Sequence, residues 1–183
     1  MSMFYELLMR AKEVYAIIKG NPTENPSGVF SNFTDDNYLI TNEKLPEDVT
    51  EVQVEFTMMS TIPSSGTQAI FNAGLTSLTL YNKQVSMYDS GYKNIIPQSD
   101  TTGGSTYVVR CLINGKSLSF SYSKDGGAFI DSLNFTTRNN YNVVKFGIAS
   151  AGRSFKGSIN LNNTFIKRIG NRYWFKGKTK QGE

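Results

Sequence analysis

The chain has 183 residues, no histidine, one cysteine and a formal net charge of +4 at pH 7. The absence of histidine excludes a Ser-His-Asp triad and a histidine metal site, and a single cysteine excludes an intramolecular disulfide. Aromatic residues make up 13% of the sequence, with 12 Phe and 10 Tyr, which favours β structure. Since no run of about 18 apolar residues is present, we expect no insertion into a membrane.

Residues 3–19 show the spacing of an amphipathic helix. Its apolar residues recur at three- and four-residue steps, which places them on one stripe: Phe4, Leu7, Leu8, Ala11, Val14 and Ile18. A helix of this length is marginal in water by itself, so the stripe needs a partner. Residues 1–20 are therefore predicted to be an N-terminal anchoring or oligomerisation helix, which docks on another protein or on the chain's own sandwich.

After a proline-containing linker at residues 21–27, the sequence predicts only short strands and turns. Tight turns favour antiparallel pairing, and so many strands favour a mainly β, two-sheet jelly-roll sandwich at residues 28–177, with a closed barrel as the alternative. Residues 178–183 are predicted to be a basic flexible tail. The predicted strands are 28–33, 37–41, 49–59, 68–73, 77–81, 84–88, 105–113, 116–123, 128–135, 142–149, 155–161, 164–169 and 172–176.

Two short turns predict the register of their hairpins. Asn114-Gly115 and Asn82-Lys83 each fit a two-residue loop, and the first is a strong type I′ signal. Both registers place apolar residues opposite one another, so Cys111 is predicted to be a core residue. The predicted pairs are Cys111–Leu118, Val109–Phe120 and Tyr107–Tyr122 in one hairpin, and Leu80–Val85 and Leu78–Met87 in the other.

The basic residues are concentrated near the C-terminus. Residues 151–183 hold eight basic residues and one acidic residue, which gives +7, whereas residues 1–150 carry −3. Such a segment fits nucleic acid, an acidic glycan or an acidic protein partner. The bases are not interleaved with aromatics in a nucleic-acid-binding motif, so we expect a solvated end of the sandwich and no nucleic-acid partner.

The C-terminal residues 155–166 follow the pattern F-x-G-x-I-x-L-N-x-T-x-I, and Gly170 and Trp174 come after it. Together with the S-x-D-G turn at residues 121–127 and a core strand at 144–148, they resemble the concanavalin A-like lectin/glucanase (laminin G-like) domains of bacteriophage fibre, tail and capsid-decoration proteins. The resemblance covers about residues 28–177. Its structural motif residues are Asp125, Gly126, Phe155, Gly157, Asn162 and Trp174.

This resemblance implies a non-enzymatic virion surface protein, made in the bacterial host cytoplasm, that displays a lectin-like module for host-surface or environmental glycans. Its implied partners are other virion proteins, bound through the N-terminal helix, and bacterial surface glycans. It also implies a homo-oligomer, by analogy a homotrimer. A purely structural virion subunit without a ligand is the alternative.

A glycoside hydrolase that uses Glu51 and Glu55 is a third, more distant alternative. Residues 49–59 alternate apolar and polar side chains, and period two places Glu51, Gln53 and Glu55 on one face, as in the E-x-D-x-E signature of sandwich-fold β-glucanases. In a regular strand their Cα atoms would be ~13 Å apart, whereas retaining hydrolases need carboxyl groups about 5–5.5 Å apart. The central acid is also replaced by Gln53, so no catalytic residue is assigned.

The long stretch from Asp89 to Ser105 is predicted to be a loop that could bind a ligand, because loops carry most binding residues. Its candidate ligand-binding residues are Tyr92, Lys93, Asn94, Gln98 and Asp100. No cofactor or metal is assigned. Ca²⁺ is an alternative at Asp35, Asp36 and Asn37, although these residues also suit a turn, which we favour.

Overall fold

The computed structural model describes residues 12–74, 77–89, 91–137 and 141–182. Within these ranges the chain is mainly β and contains no helix. In chain order the strands are β1 (Ala16–Lys19), β2 (Thr23–Glu24), β3 (Val29–Ser31), β4 (Tyr38–Lys44), β5 (Val49–Thr57), β6 (Thr67–Gly74), β7 (Ser77–Tyr81), β8 (Gln84–Tyr88), β9 (Tyr92–Ile96), β10 (Thr106–Asn114), β11 (Ser117–Lys124), β12 (Ile130–Thr136), β13 (Tyr141–Phe146), β14 (Ser158–Arg168), β15 (Arg172–Phe175) and β16 (Thr179–Gln181).

The strands form two sheets. Sheet A has the order β16-β1-β4-β13-β6-β7-β8-β9, and sheet B has the order β12-β11-β10-β5-β14-β3-β2, with β15 paired to β14. Among the described strands only β1 and β16 pair in parallel. The predicted antiparallel two-sheet sandwich is confirmed.

The core lies between the two sheets. Val52 and Val54 of β5 face Phe71 of β6 and Leu78 of β7 around a gap of only about 10 Å³, so almost no space remains between the sheets at this point. Cys111 of β10 lines the same gap and is 2% exposed, and burial raises the pKa of its thiol. The prediction that Cys111 is a core residue is confirmed.

The predicted N-terminal helix is wrong where the structure describes it. Ala16–Lys19 is a strand that pairs with β4 and β16. Ala16 and Ile18 are buried, and Val14 packs against the same core. Residues four apart share a face in both a helix and a strand, so Val14 and Ile18 fitted the helical stripe equally well. The predicted anchor residues Phe4, Leu7, Leu8 and Ala11 lie outside the described residues.

Two segments expected to lack regular structure contain short strands instead. In the predicted linker 21–27, Thr23–Glu24 pairs with β3. In the predicted flexible tail 178–183, Thr179–Gln181 pairs with β1. The chain continues this pairing on either side, because the amide of Ala16 donates to the carbonyl of Lys178, and the amide of Gly182 donates to that of Ile18. These strands are polar and short, so they show no hydrophobic alternation.

The largest differences from the predicted strands of the second half occur at two places. The predicted strands 155–161 and 164–169 are one strand, β14, whose register against β5 shifts between Asn160 and Phe165. The predicted loop 89–105 contains a strand, β9, which pairs with β8.

One hairpin has the predicted register and the other does not. Leu80 faces Val85 as predicted, and both loop residues, Asn82 and Lys83, have positive φ, as a type I′ turn requires. The other loop is Gly115-Lys116, which pairs Cys111 with Phe120, Val109 with Tyr122 and Tyr107 with Lys124. Only Gly115 has positive φ there, which fits a type II′ turn.

The motif residues of the C-terminal pattern have structural roles. A Cβ on Gly157 would overlap the carbonyl oxygen of Thr57 and the ring of Phe155, so β14 approaches β5 closely only with glycine there. Asn162 donates from Nδ2 to the carbonyl of Ser27 at 2.6 Å, which ties β14 to the turn before β3. Trp174 is half-buried and packs against the core. Asp125, with φ 50°, accepts the amide of Thr106 at 2.8 Å, and Gly126 follows it with φ 76°.

Candidate functional site

Strand β5 presents a row of polar side chains on the outer face of sheet B. Because Val52 and Val54 point into the core, Glu51, Gln53 and Glu55 point away from it. In the neighbouring strands, Arg110 of β10 lies opposite Gln53, and Lys167 of β14 lies opposite Glu51. The row therefore lies in the middle of sheet B, with a strand on each side.

A network of hydrogen bonds and ion pairs connects the row. Asn160 donates to Oε1 of Glu55 at 2.7 Å, and Asn163 donates to Oε2 of the same carboxylate. Gln53 donates from Nε2 to Oδ1 of Asn163 at 3.1 Å and accepts from Arg110 at Oε1, at 3.1 Å from Nη2. Gln53 is only 5% exposed, so these neighbours cover its amide on the outer face of sheet B.

Glu51 completes this network at the other end of the row. Its Oε1 lies 3.4 Å from Nε of Arg110, and its Oε2 lies 3.8 Å from Nζ of Lys167. The two carboxylates are thus held by different partners: Glu51 by two cations, and Glu55 by two amides. In a regular strand their Cα atoms are ~13 Å apart, which is far from the carboxyl spacing of a retaining hydrolase, about 5–5.5 Å.

Exposed aromatic rings paired with cations flank this row on the same face. The guanidinium of Arg110 lies 4.2 Å from the ring centroid of Phe129, and Nζ of Lys167 lies 5.1 Å and 5.2 Å from the centroids of Phe165 and Tyr173. Phe129 is 41% exposed and Tyr173 47%. We call this set the ring–cation track: Phe129, Arg110, Phe165, Lys167, Tyr173 and Lys176.

The ring–cation track crosses neighbouring strands instead of following one. From β10 through β5 and β14 to β15 it spans three inter-strand steps, or ~14 Å. At its far end, Nζ of Lys176 lies 4.7 Å from the centroid of Tyr173, whose ring meets that of Phe165 edge to face at 5.6 Å. Such a surface offers flat apolar ring faces beside charged donors.

A separate cleft lies on the outer face of sheet A, with a volume of about 390 Å³. We call it the tyrosine cleft, because Tyr88 and Tyr92 form one of its walls. Ala149, Ser150 and Arg153 lie on the loop opposite, and Asp89 also reaches the cleft. The small polar side chains of Thr67, Asn72, Ser77 and Thr79 line it from β6 and β7.

The five predicted ligand-binding residues do not come together in one site. Tyr92 lines the tyrosine cleft. Lys93 instead lies over the ring of Phe135, with Nζ 4.7 Å from its centroid. Asn94 accepts a hydrogen bond from Ser86 at 3.0 Å, and Gln98 is exposed in a turn.

Asp100, the fifth predicted residue, stabilises the loop itself. Its carboxylate accepts the hydroxyl of Tyr122, and its carbonyl accepts that of Tyr107 at 2.8 Å. Burial, and then the neighbouring Asp100 carboxylate, raises the pKa of Tyr122 to about 12.

The residues of the ring–cation track were missed because their proximity depends on pairing between strands far apart in sequence.

The cluster considered for Ca²⁺ forms turn hydrogen bonds. Thr34 Oγ1 accepts the amides of Asp36 and Asn37, and Oδ1 of Asp35 accepts the amide of Gly152 at 2.8 Å. In the described part of the chain no group of three or more acidic or cysteine side chains is arranged to hold a metal ion. No helix among the described residues could cross a membrane.

The basic C-terminal segment is partly neutralised by ion pairs. Arg168 donates from Nε and Nη2 to the two carboxylate oxygens of Asp48, at 2.8 and 3.0 Å. Lys178 and Lys180 both pair with Glu13. The concentration of positive charge seen in the sequence is therefore spread over several acidic partners in the fold.

The sequence matches no protein-family model and no curated protein. Among solved structures, the fold is similar to the catalytic domain of a glycoside hydrolase family 131 protein from Coprinopsis cinerea, at 12% identity and a TM-score of 0.53, over 92% of this chain and 89% of that one. It is also similar to domain 4 of AbnA, a GH43 extracellular arabinanase from Geobacillus stearothermophilus solved with arabinotriose, at 9% identity and a TM-score of 0.51, over 80% and 78% of the two chains. Lectin I-B4 from Griffonia simplicifolia matches at 12% identity and a TM-score of 0.47, over 80% of this chain and 87% of that one.

The structural neighbours are concanavalin A-like and laminin G-like lectin and glucanase domains, and nothing in them indicates a bacteriophage origin. At 12% and 9% identity, the two matches with TM-scores above 0.5 show the fold alone, and a shared fold does not decide between an enzyme and a binding module. The chain shares its two-sheet fold with the glycoside hydrolase family 131 domain and with domain 4 of the arabinanase.

Proposed function

We propose that this protein is a glycan-binding module whose ligand lies across the outer face of sheet B. The observation that carries the proposal is the ring–cation track. Phe129 and Tyr173 are large, exposed apolar side chains at its two ends, and solvent-exposed rings held in place by neighbours are typical of binding surfaces. The flat faces of sugar rings pack on such aromatic rings, while hydroxyl groups bond to charged and amide side chains.

The hydrogen-bond network keeps this surface rigid before the ligand arrives. Arg110 is fixed by Gln53 on one side and by Phe129 on the other. Lys167 is held between Glu51 and the rings of Phe165 and Tyr173. A preformed surface loses little conformational entropy on binding, which favours affinity.

Binding without hydrolysis agrees with the positions of the two carboxylates. Glu51 and Glu55 are separated by the buried Gln53 and are held by different partners. The similarity to domain 4 of the arabinanase, which was solved with an oligosaccharide, supports a glycan as the ligand class through the fold alone. Attachment to virion proteins, display on a virion and a homotrimer stay predictions.

Titration of the full chain with a panel of neutral and acidic polysaccharides, by calorimetry or affinity electrophoresis, tests the proposal. Tyr173→Ala and Phe129→Ala should each weaken binding by about tenfold or more, since exposed aromatic anchors dominate binding energy. Ile169→Ala is the matched control, because Ile169 is 61% exposed yet lies outside the ring–cation track. No binding to any polysaccharide, or equal losses in all three variants, would overturn the proposal.

A further inference from the structure

We propose that the tyrosine cleft binds a single sugar unit that carries a carboxylate, such as a uronic acid. The cleft lies on sheet A, whereas the proposed glycan surface lies on sheet B, so this inference does not depend on the proposed function. Its volume of about 390 Å³ is at the lower end of the range for small-molecule sites. That size suits one ligand unit and not a long chain.

The aromatic wall of the tyrosine cleft is fixed in place by its neighbours. The ring of Tyr92 stacks on Tyr81 with centroids 3.8 Å apart and an interplanar angle of 6°. Its hydroxyl lies 3.0 Å from Oγ1 of Thr67. Tyr88, 53% exposed, lies 5.1 Å from Tyr92, so a ring face is available to a ligand in the cleft.

Arg153 supplies the positive charge of the cleft. Its amide donates to the carbonyl of Ser150 and its carbonyl accepts the amide of Ala69, so its backbone is attached to β6. Within the described residues its guanidinium has no hydrogen-bond or ion-pair partner. A planar guanidinium binds a carboxylate through two parallel hydrogen bonds, which is the strongest contact available to it here.

Polar side chains in the cleft suit the hydroxyl groups of a sugar. Ser77 donates to Oδ1 of Asn72 at 3.0 Å, and Thr79 donates to the carbonyl of Ser86 at 3.2 Å, so both hydroxyl oxygens keep acceptor capacity. Asp89 accepts from Thr137 at 3.1 Å. The negative charge of Asp89 repels any anion in the cleft, but it repels a phosphate dianion more strongly than a single carboxylate, which can pair with Arg153.

Ligand-observed NMR and calorimetry on the full chain, with glucuronic acid, glucose and glucose 6-phosphate as probes, test this assignment. Glucuronic acid should bind at least about tenfold more tightly than glucose or the phosphate, and 0.5 M NaCl should weaken it through screening. Arg153→Gln should remove the preference over glucose, and Tyr88→Ala should weaken both sugars.

Ile169→Ala, at an exposed position outside both surfaces, is the matched control and should leave glucuronic acid binding unchanged. Absence of glucuronic acid binding, equal affinity for glucose, or an Arg153→Gln variant that retains the preference would each overturn the assignment. A loss in Tyr173→Ala equal to that in Tyr88→Ala would place the sugar on sheet B and overturn it as well. Polysaccharide binding that fails while glucuronic acid binding persists would overturn only the proposed function.

Discussion

Arg110 lies opposite Gln53 across the β5–β10 pair, and its Nε and Nη2 both donate to Oε1 of Gln53, at 3.3 and 3.1 Å. Gln53 in turn donates from Nε2 to Oδ1 of Asn163 in β14. A buried amide that is bonded at both ends fixes the relative positions of three strands, since any slip in register would leave polar groups unpaired. The middle of sheet B is therefore specified by polar contacts as well as by its apolar face.

Removal of the Gln53 amide should destabilise the fold. Gln53→Ala leaves Arg110 and Asn163 without their shared partner, which should lower the free energy of unfolding by about 1–3 kcal/mol. Urea unfolding followed by circular dichroism measures the change. Gln98→Ala, at an exposed turn position, is the control, and its free energy of unfolding should stay near that of the native chain. Equal stability of the two variants would show that the network contributes nothing.

Gly147→Ala should be among the more damaging single changes. Gly147 has φ 82°, and a Cβ there would overlap the buried ring of Phe33. The positive φ costs about 1–2 kcal/mol, and overpacking adds about 1–3 kcal/mol. Gly152→Ala separates the two effects, because Gly152 has φ 73° and no atom within 4 Å of the added Cβ. A smaller loss in Gly147→Ala than in Gly152→Ala, measured by thermal unfolding, would contradict this account.

Truncation distinguishes an appended helix from a strand of the sandwich. Deletion of residues 1–20 removes β1, including the buried Ala16 and Ile18, and exposes the edge of β4. We therefore expect marked destabilisation or aggregation. Deletion of residues 1–11 keeps every described strand and should preserve the cooperative unfolding transition. If the protein without residues 1–20 had the same melting temperature as the full chain, β1 would not be part of the stable fold.

Alkaline pH should weaken the fold through Tyr122. Its pKa is about 12 in the folded protein and ~10 in the unfolded chain. Both states are protonated below pH ~10, so its contribution is fully present there. As pH rises above ~10 the unfolded state loses the proton first, and the stability falls until the folded pKa is passed. Urea unfolding between pH 9 and 12, on the order of these pKa values, should show a shallower fall for Tyr122→Phe than for the native chain.

Tyr173→Phe is the control for this pH dependence, because Tyr173 is 47% exposed and its hydroxyl is not needed for the core. In this variant the free energy of unfolding should fall with pH as steeply as in the native chain. If the free energy of unfolding fell equally steeply with pH for Tyr122→Phe and the native protein, the burial of Tyr122 would not influence the loss of stability at alkaline pH.

Local patterns predicted the strands best where one face is apolar and the other polar. The alternation in β5 and the Asn82-Lys83 turn were sufficient for strand position and register. At Asn114-Gly115 the apolar pattern could not determine the register of the hairpin. The observed turn at Gly115-Lys116 shifts each cross-strand partner by two residues, which keeps the same face inward. Here the glycine at the first loop position determined the turn.

The candidate sites depend on contacts that local patterns do not contain. Gln53 meets Arg110 from 57 residues away and Asn163 from 110 residues away. The loop that carries Arg153 is attached beside β6, where the amide of Ala69 donates to the carbonyl of Arg153 and Ala69 pairs with Ser154. Sequence reasoning found Tyr92 as an aromatic candidate but assigned it to a loop with Asp100, whose actual partners are Tyr107 and Tyr122.

The parallel pair of β1 and β16 has a mechanical consequence. Ala16 lies beside Thr179, and Ile18 lies beside Gln181, so the chain before β1 and the chain after β16 leave this edge at opposite ends. A pulling force applied through those two segments would load the hydrogen bonds between the strands together, in shear, instead of opening them one at a time. The edge that joins the two ends of the described chain is thus oriented to resist tension.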